Sequence, residues 1–463
     1  MRAVFPVLPL VVGICVGLWS HVDPAPAEVK VRLKDGREFT LPLRENEIDE
    51  IRVDGRLYRP EVGLPPASEF RPEFLEGDRN RILDEDKVKP RQTERAAPPS
   101  GSEDAARILK VGPGRPLQVP SQAAAQARNG DIIEIDATEY FGDVAVWKAS
   151  NIIIRGVGGR PLLNAGGRSA QGKAIWVTDG ANITIENIEF ANVKVRDRNG
   201  AGIRAQGPNL TVRRAVFRDS ENGILAVGRE DSTIVIEHTE FARNGYGDGR
   251  SHGLYINRVK RLVFRYNYAH HAKVGHQLKT RARENIIVNN LFMDGDRGNS
   301  SYAIDLSNAR VAYVMGNVLQ QSGLTENSSL IYVGAKVQHP GARIHIANNT
   351  VISDRRAGGK FVLNQSPITA TIQNNLLVGK LQIVDGRASA SNNLVGKRDF
   401  FVDPAGLDFR LRPGVPAIDA GVDLEPEGDR ALAPDGEYRH RAERRDRPKA
   451  GSIDIGAYEF TAN

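Results

Sequence analysis

The chain has 463 residues, of which 26% are charged, and a formal net charge of +6 at pH 7 with a pI near 9.3. One compact core rarely keeps growing at this length, so several domains or an elongated repeat are expected. The mild basic excess suits an acidic polymer, but Lys and Arg form no dense run. Binding to nucleic acid is therefore not predicted.

The chain begins with a segment typical of an export signal. Residues 3–19 are apolar and follow Arg2, and the Ala-Pro-Ala stretch at 25–27 offers a cleavage site, which predicts a signal peptide over 1–27. An uncleaved N-terminal anchor is the alternative. Cys15 is the only cysteine, so the mature chain can form no internal disulfide. We expect a secreted or periplasmic protein with no stable membrane association once the signal is removed.

Two segments precede the main domain. Residues 28–60 are predicted to form a small β unit, because two alternating runs there each surround an Asp-Gly pair, a strong hairpin signal. Residues 61–105 are rich in Pro and charge, as linkers are. A new domain is expected from residue 106, where Ser121 is predicted to cap a short Ala-rich helix that ends at Gly130.

Short β-rich runs then recur with an irregular period of about 26 residues, which is typical of a β-solenoid. Their similar endings align at positions 190, 217, 241, 269, 292, 319, 351, 377 and 395. Asparagine tolerates the left-handed backbone of a tight turn, and stacked amides can hydrogen-bond from coil to coil. One asparagine column is therefore predicted to be structural: Asn267, Asn290, Asn317, Asn349, Asn375 and Asn393.

The asparagine column, the coil length and the leading helix resemble the right-handed parallel β-helix of the pectate-lyase-like superfamily. The stretches at 401–423 and 451–460 resemble the closing segment of many secreted bacterial β-helix proteins. The resemblance covers roughly 106–460. It implies an all-β fold, a right-handed parallel β-helix of about ten coils over 106–398 with an N-terminal cap helix, closed by 399–463. It implies no single reaction, because the superfamily includes uronan lyases, C5-epimerases, hydrolases, esterases and phage tailspikes.

Alternation along the predicted strands gathers polar side chains on one outer face. Leu254 and Ile256 are expected to point inward, and the same phase is expected in the next coils. His252 and His276 each lie two residues before an inward Leu, so they should lie one above the other. The outward positions hold Tyr255, Asn257, Lys279, Arg281, Asp305, Ser307 and Tyr332.

This set suits β-elimination on a uronic-acid polymer, which needs a neutralised carboxylate, a base for the C5 proton and a donor for the leaving O4. Arg281 can fork across a carboxylate. Lys279, His276 or His252 could take the proton, and Tyr255 could protonate the leaving oxygen. Further candidates for substrate binding are Asn257, Asp305, Tyr332 and Arg204.

Several alternatives stay open. A C5-epimerase would use the same residues, and a carbohydrate-binding or structural solenoid would bind an acidic glycan without turnover. Asp305 could bind Ca²⁺ that bridges the substrate carboxylate, although an ion pair with Lys279 on a solvated face is the simpler role. No other cofactor or metal is predicted. Glycoside hydrolysis is not favoured, because paired carboxylates are not evident. The expected partner is an acidic polysaccharide, bound by a monomer.

Overall fold

The computed structural model describes residues 106–462 apart from 326, 335–338 and 428–429, together with four short N-terminal strands. The chain divides into two units after Gly101. The predicted signal peptide and linker lie outside the described residues, so both stay predictions.

The four N-terminal strands form two antiparallel pairs. Glu28–Arg32 pairs with Glu38–Pro42, and Ile51–Val53 pairs with Arg56–Tyr58. In the sequence, the two strands of each pair stand on either side of one of the Asp-Gly pairs from which a hairpin was predicted.

The second unit winds through three parallel sheets and adds one strand to each sheet per turn. Sheet 1 has 12 strands, sheet 2 has 11 and sheet 3 has 10, which gives ten full coils. Sheet 1 comprises Ile108–Val111, Ile132–Asp136, Ile153–Val157, Ile183–Glu186, Leu210–Arg213, Arg229–Glu237, Val259–Arg265, Glu284–Val288, Val311–Met315, Arg343–Ala347, Ala370–Gln373 and Ala388–Ser391. Sheet 2 comprises Glu139–Phe141, Leu162–Asn164, Glu189–Ala191, Val216–Arg218, Glu240–Ala242, Tyr268–His270, Leu291–Met293, Val318–Gln321, Thr350–Ser353, Leu376–Val378 and Leu394–Gly396. Sheet 3 comprises Ala145–Trp147, Ala174–Thr178, Ala201–Ala205, Asn222–Ala226, Leu254–Ile256, Leu278–Thr280, Ile304–Leu306, Ser329–Val333, Gly359–Asn364 and Leu381–Gly386.

The repeat read from the sequence sets the register of sheet 2. The nine aligned positions, from 190 to 395, pair in succession on neighbouring strands. The first eight of these side chains are buried inside the solenoid, whereas Val395 on the last strand is exposed. The rings of Phe190 and Phe217 stack at 4.9 Å and those of Phe217 and Phe241 at 5.1 Å. Each buried ring contributes roughly 2 to 3 kcal/mol through removal of apolar surface from water.

The asparagine column lies at the turn between sheets 1 and 2. Asn290 Nδ2 donates to the Asn317 side-chain oxygen at 2.9 Å and to the Phe264 carbonyl at 2.9 Å. The left-handed backbone expected for these residues occurs one position earlier, as at Asn289 (φ 55°) and Asn348 (φ 51°). The column residues therefore act through their amides, which satisfy buried backbone groups of adjacent coils.

A short helix, Pro120–Gln126, lies at the start of the solenoid. Ser121 does not cap it as the sequence predicts, because Pro120 occupies the first turn and Val119 the cap position. Proline is favoured there, since its missing N–H would have no partner in the helix. The helix also ends before the predicted Gly130. No helix among the described residues is long and apolar enough to cross a membrane.

The C-terminal segment packs against the outer face of sheet 2. It contains a 3₁₀ turn at Arg398–Phe400 and two antiparallel pairs, Phe401–Asp403 with Asp408–Leu411 and Gly436–Arg439 with Glu443–Asp446. Its apolar side chains form one buried cluster with outward residues of sheet 2. Its members include Tyr268, Leu291 and Ile352 of sheet 2 and Phe401, Phe409, Tyr438 and Tyr458 of the C-terminal segment.

Candidate active site

The outer face of sheet 3 carries the predicted polar column. The register pairs Tyr255 with Lys279, Lys279 with Asp305, and Asp305 with Tyr332. Leu278 and Thr280, on either side of Lys279 in its strand, are completely buried. The alternation of these strands therefore places the side chains as predicted, about 4.8 Å apart from strand to strand.

Asp305 is the buried centre of this group, with 3% of its surface exposed. Its Oδ2 lies 3.7 Å from Lys279 Nζ and 3.3 Å from His276 Nε2. Its Oδ1 accepts a hydrogen bond from Ser307 Oγ at 2.6 Å. Burial raises the pKa of Asp305, and the donors around it offset only part of that effect. This carboxylate fixes the position of the Lys279 ammonium.

Two cations flank the ring of Tyr255. Lys279 Nζ lies 5.6 Å and the Arg281 guanidinium carbon 5.7 Å from the centre of that ring, both within the range of cation–π attraction. Lys279 has Asp305 as a counter-ion. In the described part of the chain, Arg281 forms no ion pair. Arg281 thus presents its positive charge on this face with no direct ion pair among the described residues, although that charge also acts on Asp305.

Tyr255 is suited to donate a proton. Burial raises the pKa of its phenol, against the opposing influence of Arg281. A raised pKa keeps the hydroxyl protonated at neutral pH, when it can donate to a basic oxygen.

The two histidines stack as expected, with ring centres 4.7 Å apart and planes 7° from parallel. The His276 backbone N–H donates to His252 Nδ1 at 3.1 Å, and the Tyr302 N–H donates to His276 Nδ1 at 3.2 Å. Burial lowers the pKa of His252 well below its usual value and that of His276 to about 3. A neutral ring that accepts at Nδ1 carries its proton on Nε2. Neither imidazole therefore offers a free lone pair to a substrate.

Tyr302 extends the stack and was missed by the sequence reasoning. Its ring centre lies 5.0 Å from that of His276 and 5.1 Å from that of Tyr332. The signal was available, because Tyr302 precedes inward Ile304 by two residues, as His276 precedes Leu278. The outer face thus carries a row of four stacked rings beside the cations.

A buried network supports the turns that lead into these strands. Asp294 accepts hydrogen bonds from Ser300 Oγ at 2.6 Å, Gln277 Nε2 at 3.0 Å and Thr325 Oγ1 at 3.1 Å. Burial raises the pKa of Asp294. The network joins three successive coils at the point where the chain enters sheet 3.

The remaining predicted residues lie around the centre. Asn257 follows Ile256, and its Oδ1 accepts the Arg258 backbone N–H at 2.9 Å. The Tyr332 hydroxyl donates to Gln365 Oε1 at 3.3 Å. Arg204 lies on the same column but three strands before Lys279. The structure thus brings the predicted catalytic residues together and leaves Arg204 at a distance.

The surroundings of Asp305 do not suit Ca²⁺. Calcium takes six or more oxygen ligands, usually including several carboxylates. Both oxygens of Asp305 already face donors, namely Ser307 on one side and Lys279 with His276 on the other. Within the described ranges, no three His, Cys, Asp or Glu side chains are grouped to hold a metal ion. Asp305 therefore serves the side chains around it.

Residues 140–319 match a family model described as the right handed beta helix region. The domain is a right-handed parallel β-helix. No curated protein sequence matches the chain. Among solved structures, the β-helix is similar to pectate lyase Pel9A, with 13% identity, coverage of 77% of this chain and 98% of that chain, and a TM-score of 0.45. It is also similar to gp49, a tailspike and capsular polysaccharide depolymerase from Acinetobacter baumannii bacteriophage Fri1. The identity is 14%, the match covers 62% of this chain and 57% of that chain, and the TM-score is 0.31. The PL6 family alginate lyase AlyGC is 14% identical, the match covers 64% of this chain and 50% of that chain, and the TM-score is 0.29. These similarities concern the fold, so any reaction has to be argued from the site itself.

Proposed function

We propose that the β-helix is a polysaccharide lyase that cleaves a uronic-acid-containing polymer by β-elimination. The observation that carries this proposal is the guanidinium of Arg281, which forms no direct ion pair among the described residues. It lies on the same outer face as Lys279, and its carbon is 5.7 Å from the Tyr255 ring centre. Elimination needs a carboxylate receptor, a base and an acid close together, and these three residues can supply them.

Arg281 is assigned to the substrate carboxylate. Removal of the C5 proton sends negative charge onto that carboxylate, so a cation placed there stabilises the transition state more than the ground state. The planar guanidinium can donate to both oxygens at once. In the part of the chain that the structure describes, Arg281 has no direct ion pair that would have to break when the substrate binds, which supports this role.

Lys279 is assigned as the base, whose nitrogen can take the C5 proton once its ammonium has released a proton to solvent. The histidines are the alternatives, but both use Nδ1 to accept a backbone N–H. They support the site instead, His276 through its contact with Asp305. The C5 proton passes to the Lys279 nitrogen, the C5–H electrons form the C4–C5 double bond, and the C4–O4 bond breaks. Tyr255 protonates O4, and solvent returns both side chains to their starting forms.

Elimination is favoured over C5-epimerisation because all of the candidate groups project from one surface, sheet 3. An epimerase needs a base on one face of the sugar ring and a proton donor on the other. We also propose that the lyase acts outside the cytoplasm, which agrees with the predicted signal peptide and with a polymeric substrate.

The test is the ultraviolet absorbance of the unsaturated uronate while the protein is incubated with a panel of acidic polysaccharides. We expect absorbance to rise with the wild type and with Arg387→Gln, an exposed arginine on the last coil, but not with Arg281→Gln. If no polymer yields product while glycan binding is retained, the lyase is rejected in favour of a binding solenoid. Deuterium incorporation at C5 without cleavage would instead identify an epimerase.

A further inference from the structure

Arg204 is a half-buried cation on the outer face of sheet 3. Its Nε is buried and has no hydrogen-bond partner, and among the described residues its guanidinium forms no ion pair. Burial lowers the pKa of Arg204. By contrast, the partly buried Arg213 faces a carboxylate, that of Glu237.

An unpaired guanidinium in such a position is unfavourable for folding. Removing a charged group from water costs free energy unless a partner compensates for it. A neutral or apolar side chain would fill the same space at lower cost. Features that work against stability in this way are expected where a ligand provides the missing partner.

The position of Arg204 relative to Arg281 is set by the register. Arg204 pairs with Leu225, Leu225 with Tyr255, and Tyr255 with Lys279. Three strand steps of about 4.8 Å place Arg204 about 14 Å along the solenoid axis from the coil of Lys279 and Arg281. A pyranose unit in an extended 1,4-linked chain is about as long as one strand spacing. A polymer that lies along the axis therefore advances by about one sugar per coil.

The surface between the two arginines suits a sugar chain. Leu225 lies between the two arginines and belongs to a small apolar cluster on this outer face, and the Tyr255 ring packs against that cluster. Pyranose rings have apolar faces that pack on such surfaces, whereas their charged groups need ion partners. Leu225 and Tyr255 thus form an apolar strip between Arg204 and Arg281, neither of which forms an ion pair among the described residues. This pattern matches an acidic polysaccharide along its length.

We propose that Arg204 binds the carboxylate of the uronate three units away from the one held by Arg281. The polymer then lies along the solenoid axis, and the binding site spans at least four sugar units. This inference rests on the proposed function, since it assigns a second residue to the same substrate.

The experiment is calorimetric titration with the trimer, tetramer and hexamer of the cleaved uronan, in a Lys279→Ala background that prevents turnover. We expect Arg204→Gln to weaken tetramer and hexamer binding at least about tenfold, the effect of losing a charge-assisted hydrogen bond. Trimer binding should not change. Arg204→Lys should retain part of the affinity for the tetramer and hexamer, and Arg387→Gln should retain all of it. The melting temperature of Arg204→Gln should equal or exceed that of the parent.

Equal weakening of trimer and hexamer by Arg204→Gln, or no weakening of either, would overturn the inference. A further outcome is that the wild type cleaves polymer and Arg281→Gln abolishes cleavage, while the effect of Arg204→Gln on affinity does not depend on oligomer length. In that case only the role of Arg204 is rejected. If no uronan is cleaved and no oligomer binds, the proposed function is lost and this inference with it.

Discussion

Replacing Asp305 with Asn tests whether the buried carboxylate stabilises the fold or serves the site. Two large effects oppose each other there. At 3.7 Å from Lys279 Nζ, the attraction is about 4 kcal/mol for an effective dielectric constant of about 20. Withdrawal of a carboxylate from water costs several kcal/mol. Because burial raises the pKa of Asp305 above its usual value, the cost of burial is the larger effect.

Asn fits the same space with every hydrogen bond kept. Its oxygen can accept from Lys279 and His276, while its NH₂ can donate to Ser307. We therefore expect Asp305→Asn to change the free energy of unfolding at pH 7 by no more than about 1 kcal/mol. Asp305→Ala leaves donors unpaired in a buried place, so it should lose about 3 kcal/mol or more. Both variants should cleave polymer more slowly, because Lys279 loses the charge that positions it.

Urea denaturation at several pH values measures these differences. A carboxyl with a raised folded-state pKa binds its proton more tightly when folded. The wild type should therefore gain stability relative to Asp305→Asn as the pH falls through that pKa towards the usual value. The account of Asp305 would be wrong if Asp305→Asn destabilised the fold as much as Asp305→Ala. It would also be wrong if acidification made the wild type less stable relative to Asp305→Asn.

Three further predictions concern the residues around Asp305. Arg281→Gln should lower kcat/KM at least about a hundredfold through loss of a bidentate contact, and Arg281→Lys should recover only part of it, with folding checked by circular dichroism. Tyr255→Phe should lower kcat by a factor of about 10² to 10⁴ with little change in KM, and a decrease under tenfold would remove Tyr255 as the acid. The depressed pKa values of His252 and His276 should make the wild type lose stability as the pH falls from the unfolded value of 6.5 towards about 3. Urea titrations should show a smaller loss in a His252→Gln/His276→Gln variant. If the free energy of unfolding of that variant fell with pH as steeply as that of the wild type, the two rings would be protonated in the folded state.

The strand faces were predictable because they follow from a local period. Inward Leu254 and Leu278 fix the phase of their strands, and that phase sets Tyr255 and Lys279 outward, whatever the distant contacts are. The repeat also predicted which strands become neighbours. A periodic sequence carries this information in every coil, so one irregular coil does not obscure it.

Features that depend on turns and on distant segments were harder to predict from the sequence. The proton positions on His252 and His276 follow from backbone N–H groups one coil away, which no alternation pattern encodes. Ser121 was expected to cap the first helix, but Pro120 already starts it. The place of the asparagines within the turn was off by one residue, because the preceding residue adopts the left-handed backbone.

The path of the C-terminal segment has a consequence for how the molecule unfolds. A bare solenoid joins each coil only to its two neighbours, so local opening can stop anywhere along it. Here the segment ties distant coils together, since His238 Nδ1 bonds the Ala442 carbonyl at 2.9 Å and Asn348 Nδ2 bonds the Asp454 carbonyl at 3.0 Å. The coils that carry the site lie between these two anchor points. Amide hydrogens from about residue 238 to 348 should therefore exchange as one cooperative block, while the earlier coils open independently.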